Sequence, residues 1–205
     1  MKKTTLSKLT IWAFAAALMI PQIHAADAVI AEKAPDFTAT DSNGKNHTLA
    51  SYKGKIVVLE WLNHQCPFVK KHYGSENMQK LQKAYTGKGV IWLSIISSAP
   101  GKQGYCTPEE ANSLTGEKGA APTAVLLDPQ GTVGKLYGAK TTPHMFIISE
   151  DGVLVYNGAI DDIPSTDIAD IAKAKNYVQS ALDELLAGKA VSVATSQPYG
   201  CSVKY

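Results

Sequence analysis

Apolar residues fall along this chain in short runs and spaced stripes. Ile56-Val57-Val58-Leu59 is an unbroken aliphatic run that continues to Leu62, as expected of a strand buried on both faces of a parallel sheet. Val90 to Ile96 repeats the pattern. Between them Gly74, Met78, Leu81 and Tyr85 form one apolar stripe at helical spacing, in a helix that Gly74 is expected to kink and Gly87-Lys88-Gly89 to end. Strand, helix, strand in that order predicts a right-handed βαβ unit with parallel strands.

The flanking segments read as hairpins and short elements. Ala34-Pro35-Asp36-Phe37 leads into a strand, Asn43-Gly44 supplies a tight turn, and His47-Thr48-Leu49 returns, with His47 expected to be exposed. Thr107 with Glu110 forms a capping box, with Pro108 at the first helical position. Thr123 to Leu127 is a strand, closed by the turn Asp128-Pro129-Gln130-Gly131. A short helix with Val133, Leu136 and Tyr137 follows, then a strand after Pro143, which stands where it removes no ladder hydrogen bond. Asp151-Gly152 turns this strand into an antiparallel partner. A last helix is predicted from Ser165 or Thr166 to about Ala187, burying Ile168, Ile171, Val178, Leu182 and Leu185, with Gly188 as its stop. Residues 189–205 show no periodicity and form a tail carrying Cys201.

The first 25 residues read differently. Lys2, Lys3 and Lys8 precede a short apolar core from Leu9 to Ile20, and Ile23-His24-Ala25 is an acceptable cleavage context. The pattern predicts a Sec-type signal peptide over residues 1–25 and a periplasmic or secreted product, since the apolar core is too short for a bilayer. Residues 26–188 then form one domain. Three of the 20 basic residues leave with the signal, so 17 remain against 18 acids. That balance gives no electrostatic case for nucleic acid or a membrane surface.

The chemistry centres on cysteine. Cys66 follows the central strand and precedes Pro67, which suits the first position of a helix, so Cys66 is read as a helix N-cap. The free N–H groups and dipole there favour the thiolate, and Lys70 and Lys71 are expected to add charge. Glu60, six residues earlier, is either a proton acceptor for sulfur chemistry or a neighbour of solvent at the sheet end. Cys106 lies in a loop at the same sheet edge. Three cysteines allow three single disulfides, each leaving one thiol over, which favours redox chemistry or a metal site over a purely structural framework.

With these residues placed, the chain resembles the thioredoxin-like fold and, more narrowly, the exported redoxin or peroxiredoxin-like (AhpC/TSA-type) family. Cys66 matches the first cysteine of the CxxC motif, Glu60 the buried acid before it, and Thr142-Pro143 the cis-proline facing the active sulfur. The resemblance implies an α/β three-layer sandwich, a mixed central sheet with helices on both faces. It also implies that the Thr142 backbone binds an extended thiol substrate. Val69 stands where CxxC has its second cysteine. Asn63 stands where a peroxiredoxin has threonine, and the chain contains no arginine to polarise a peroxide.

The expected activity is thiol oxidoreduction without a cofactor: Cys66 attacks a disulfide or peroxide, Cys201 or Cys106 resolves the product, and Glu60 handles protons. Its partners would be a thiol or disulfide protein or a peroxide, and a thioredoxin-like electron donor. The alternative is a periplasmic metal carrier of copper type, with Cys66, Cys201 and His144 as a soft site and His64 as a further candidate.

Overall fold

The computed structural model describes Met1 and residues 28–205. The expected signal peptide and its cleavage at Ala25 therefore lie, Met1 apart, outside the described residues.

Seven strands form one mixed sheet in the order β2-β1-β5-β4-β3-β7-β8. The strands are β1 (Thr38–Asp41), β2 (Asn46–Thr48), β3 (Val57–Trp61), β4 (Ile91–Ile96), β5 (Ala124–Leu127), β7 (His144–Ile148) and β8 (Leu154–Gly158). β3, β4 and β5 run parallel, whereas β1 and β7 pair antiparallel with the two outer members of that trio. A separate two-stranded ribbon joins β6 (Thr141–Thr142) to β9 (Cys201–Ser202).

Period-two alternation along β3 divides the core. Val57, Leu59 and Trp61 face one side with Leu93, Ile95, Leu126, Tyr137 and Phe146. Val58 faces the other with Trp92, Met145, Ile147 and the helical residues Val69, Tyr73, Met78, Tyr85, Val178 and Leu182. That second side is covered by α1 (Pro67–Gly74), α2 (Asn77–Thr86), α3 (Pro108–Glu117) and α5 (Tyr177–Leu186), and the first by α4 (Thr132–Tyr137). The expected three layers are present.

Three expectations change. The helix after Cys66 does not kink but breaks in two: α1 ends at Gly74, and Glu76 takes a left-handed conformation (φ 59°) before α2 starts. The apolar stripe survives in α2 through Met78, Leu81 and Tyr85, whereas Gly74 is exposed. The last helix begins later than Ser165 or Thr166. Asp167 caps only a short 3-10 turn (Ile168–Ala172) whose Ile168 is exposed, and α5 starts after Asn176, whose side chain accepts from Gln179 N–H. Finally, His47 is buried between Asp41 and Tyr52 rather than exposed; its Nε2 lies 2.8 Å from Asp41 Oδ2 and its Nδ1 meets the Tyr52 hydroxyl.

The tail beyond α5 is a strap laid over the molecule. Asn157 N–H donates to Ala194 O (3.0 Å), and Ser196 Oγ meets Tyr156 OH (2.7 Å) and accepts from Ala159 N–H (2.9 Å). Farther on, Ala99 N–H donates to Lys204 O (2.8 Å) and Tyr205 OH to Ala139 O (2.8 Å), with the Tyr205 ring resting on Gly131 and Gly134 where any Cβ would overlap it.

Candidate active site

β3 and α1 fix the first sulfur. Cys66 takes extended backbone angles (φ −68°, ψ 127°) as the N-cap of α1, and Pro67 fills the first helical position as expected. Its side chain is fully buried (0% exposed). The Thr142–Pro143 peptide is cis, and Cys66 Sγ lies 3.0 Å from Thr142 O, to which the thiol donates. β9 pairs antiparallel with β6 so that Cys201 stands opposite Thr142, and this brings the two sulfurs within 2.7 Å of each other. Both remain free thiols. The backbone approach there is close: Gly200 (φ +143°) sits against Thr142 O, where any Cβ would overlap that oxygen.

The pair is electrically unequal. Burial pushes the Cys66 thiol up, but a hydrogen bond from Cys201 and the backbone N–H groups of Val69, Cys201 and Phe68 hold it below its ordinary value. Two of those N–H groups belong to the first turn of α1, the helix-terminus effect read from Pro67. Cys201 is pushed up to about 11, by burial first and then by the hydrogen bond and charge of Cys66. Of the two thiols, Cys66 is therefore the one that gives up its proton more readily, and Cys201 the one that keeps it.

The expected lysines play no part in this. Lys70 is exposed, and the buried Lys71 turns away, donating to Ile163 O (2.8 Å) and pairing with Asp161 (3.6 Å). Around Asp161 the chain gathers a buried polar knot: Tyr199 OH donates to Asp161 Oδ1 and meets His72 Nε2 (3.2 Å). The knot ties the strap, just before Cys201, to the helix whose N-terminus holds Cys66. Sequence reasoning missed it, because nothing in the local pattern links residue 161 to residue 199.

Glu60 is not at a solvent-exposed sheet end. It is 1% exposed, its Oε2 accepting from Trp92 Nε1 (2.8 Å), Ser94 Oγ (2.8 Å) and Gln82 Nε2 (3.1 Å), its Oε1 from Tyr73 OH (2.8 Å). Burial raises its pKa despite these four donors. Among the described residues none of its hydrogen bonds reaches either sulfur.

The remaining candidates separate from the pair. Asn63 is spent on shaping the loop: its Oδ1 accepts from Gln65 N–H (2.9 Å) and its Nδ2 donates to Gln103 O (3.4 Å). Cys106 is buried, donates weakly to Gly104 O in its own loop (3.6 Å), and is held above its ordinary pKa by burial and by Glu110. His144 cannot serve the metal reading. Its Nδ1 accepts from Lys140 N–H (3.2 Å) and its Nε2 faces Asn157 Oδ1 (2.8 Å), so the neutral ring has no lone pair to offer, and burial holds it at about 4. His64 is buried with neither ring nitrogen hydrogen-bonded, but no cluster of three or more metal-binding side chains occurs among the described residues.

Comparison with known proteins bears on the family and the fold. A profile of the AhpC/TSA family matches residues 30–157, a span that includes Glu60, Cys66, Cys106 and Pro143 and stops short of the strap. The thiol-disulfide oxidoreductase ResA of Geobacillus thermodenitrificans is 28% identical over 123 residues, covering 60% of this chain and 65% of that protein. Among solved structures, a hypothetical protein from Sinorhizobium meliloti 1021 superposes with a TM-score of 0.73 at 27% identity, covering 86% of this chain and 94% of its own. The exposed lipoprotein thioredoxin Etrx1 of Streptococcus pneumoniae TIGR4 does so with a TM-score of 0.50 at 25% identity, covering 73% and 99%. The fold is thioredoxin-like.

Proposed function

Because this chain belongs to the AhpC/TSA family, a match that covers Cys66 but not Cys201, we propose that it is an exported thiol–disulfide oxidoreductase whose working pair is Cys66 and Cys201. The observation that carries this reading is the 2.7 Å contact between two free thiols of opposite bias, one favouring thiolate and the other thiol. The resemblance to a protein named as a thiol-disulfide oxidoreductase supports it.

Cys66 thiolate attacks a disulfide of a partner protein, and the partner's thiol leaves. Cys201, after giving up its proton, attacks Cys66 Sγ and frees the second partner sulfur, so that Cys66–Cys201 is left as the disulfide. Cys201 rather than Glu60 is the proton partner of Cys66, since Glu60 is enclosed by its own four donors. Disulfide chemistry is favoured over peroxide reduction because the chain has no arginine to polarise a peroxide, and Asn63 uses its Oδ1 and an Nδ2 hydrogen on its own loop. The polar-apolar pattern of residues 1–25 supports a periplasmic or secreted location, and a thiol-bearing protein would serve as electron donor.

Peptide mapping after alkylation tests the pair. Mild oxidation is expected to create a Cys66–Cys201 disulfide that a dithiol removes, with Cys106 alkylated throughout. An unreactive Cys66, or a disulfide from Cys201 to Cys106, would overturn the proposal.

A further inference from the structure

The two sulfurs of the proposed pair are reached from opposite sides. Cys66 is enclosed by the interior behind it and by the strap in front, whereas Cys201 is part-exposed. The strap is fastened on both sides of Cys201, by Tyr199 on Asp161 and His72 and by Tyr205 on α4 and Ala139 O. In the dithiol form only these contacts hold the strap over Cys66. In the disulfide form it would be bonded to Cys66 as well.

Exchange at a disulfide is a linear displacement, so the incoming thiolate approaches along the S–S axis from the side opposite the leaving sulfur. For attack on Cys66 that side is the packed core. For attack on Cys201 it is the open side of the strap.

We infer that the external thiol that recharges the oxidised protein attacks Cys201 Sγ, so that the mixed disulfide with the electron donor forms on the strap and Cys66 is the leaving sulfur. This rests on the thiol–disulfide reading above. A donor thiolate RS⁻ forms the RS–Sγ bond to Cys201, the Cys66–Cys201 bond breaks, and its electron pair goes to Cys66 Sγ. A second donor thiolate then attacks the donor sulfur, forms RS–SR and releases Cys201, which takes up a proton from solvent. Two donor thiols become one disulfide and the protein regains both thiols. The leaving step suits Cys66, because the N–H groups of Phe68 and Val69 stand ready to receive the negative charge that develops on its sulfur. Partner and substrate thus use different sulfurs: disulfide substrates meet Cys66 after the strap lifts, and the thiol donor meets Cys201 while the strap stays down.

The test uses the whole mature protein, oxidised to the Cys66–Cys201 disulfide, pulsed with glutathione, quenched in acid to freeze exchange, and mapped by mass. Glutathione on Cys201 in at least about tenfold excess over Cys66 is expected. Glutathione chiefly or equally on Cys66, or none on Cys201, would overturn the inference while leaving the disulfide pair intact. If oxidation forms no Cys66–Cys201 disulfide, the functional reading itself falls.

Discussion

The seat of Cys66 and the strap of Cys201 are made in different ways. The seat is regular structure: β3 hydrogen-bonded on both sides, the first turn of α1, and the cis Thr142–Pro143 corner. The strap from residue 194 onward contains two residues of strand, and is otherwise held against distant parts of the chain by scattered backbone bonds and by the side chains of Ser196, Tyr199 and Tyr205. Disturbing the seat therefore means disturbing the core, whereas the strap depends on a few separable contacts. One sulfur is placed by the fold and the other is placed on it, which makes the strap the part where the pair's reactivity can be altered without loss of the fold.

The largest effect should come from the seat itself. Cys66→Ser removes the attacking sulfur, and turnover in a disulfide-reduction assay is expected to fall by at least ~100-fold with the melting temperature little changed. Next, Gly200→Ala strikes the strap where it meets Thr142 O. It should lift Cys201 from Cys66, slowing disulfide closure about tenfold or more in a stopped-flow oxidation while α/β circular dichroism is retained.

Tyr199→Phe is gentler. It deletes the hydroxyl between Asp161 and His72, and denaturant unfolding should show a loss of about 1–3 kcal/mol. Restored stability in a variant that also replaces Asp161 by Asn would show that the knot acts as a unit.

The smallest effect concerns Glu60, which belongs to neither region. Its folded pKa lies above the unfolded value of 4.5, so the folded state holds this proton more tightly. Its contribution to stability is complete below pH 4.5 and declines as pH rises through the folded pKa. Glu60→Gln should flatten that decline in unfolding curves taken from pH 4 to 8, whatever it does to the absolute value. An unchanged slope would show that Glu60 is not the group titrating.

Much of the seat was legible because its signals are local. The aliphatic run into Cys66, Pro67 after it, and Thr107 with Glu110 each specify a strand end or a helix start within a few residues, and all three are found. The pairing of hairpins at Asn43-Gly44 and Asp151-Gly152 was equally readable. What failed was decided by distant partners. Lys71 carries the same charge as Lys70 and sits beside it, yet it is buried because Asp161 and the Ile163 carbonyl wait ninety residues away. His47 reads as a surface hairpin residue until Asp41 and Tyr52 close around it. The start of the last helix was misread because Asp167 and Asn176 are both competent caps, and only packing of Val178 and Leu182 against the sheet selects the second. Residues 189–205 carry no periodicity because a strap needs none: its order comes from anchors.

Pairing of Cys201–Ser202 with Thr141–Thr142 occupies the open hydrogen-bonding edge of a short strand beside the reactive sulfur. Such an edge, left bare, is a template on which another extended chain can add, and proteins commonly cover theirs. In the proposed cycle the cover would be fastened by sulfur. Oxidised protein would then keep the edge closed by a covalent bond and reduced protein only by weak contacts, which would make solubility and resistance to self-association readouts of the redox state, with the dithiol form the stickier of the two.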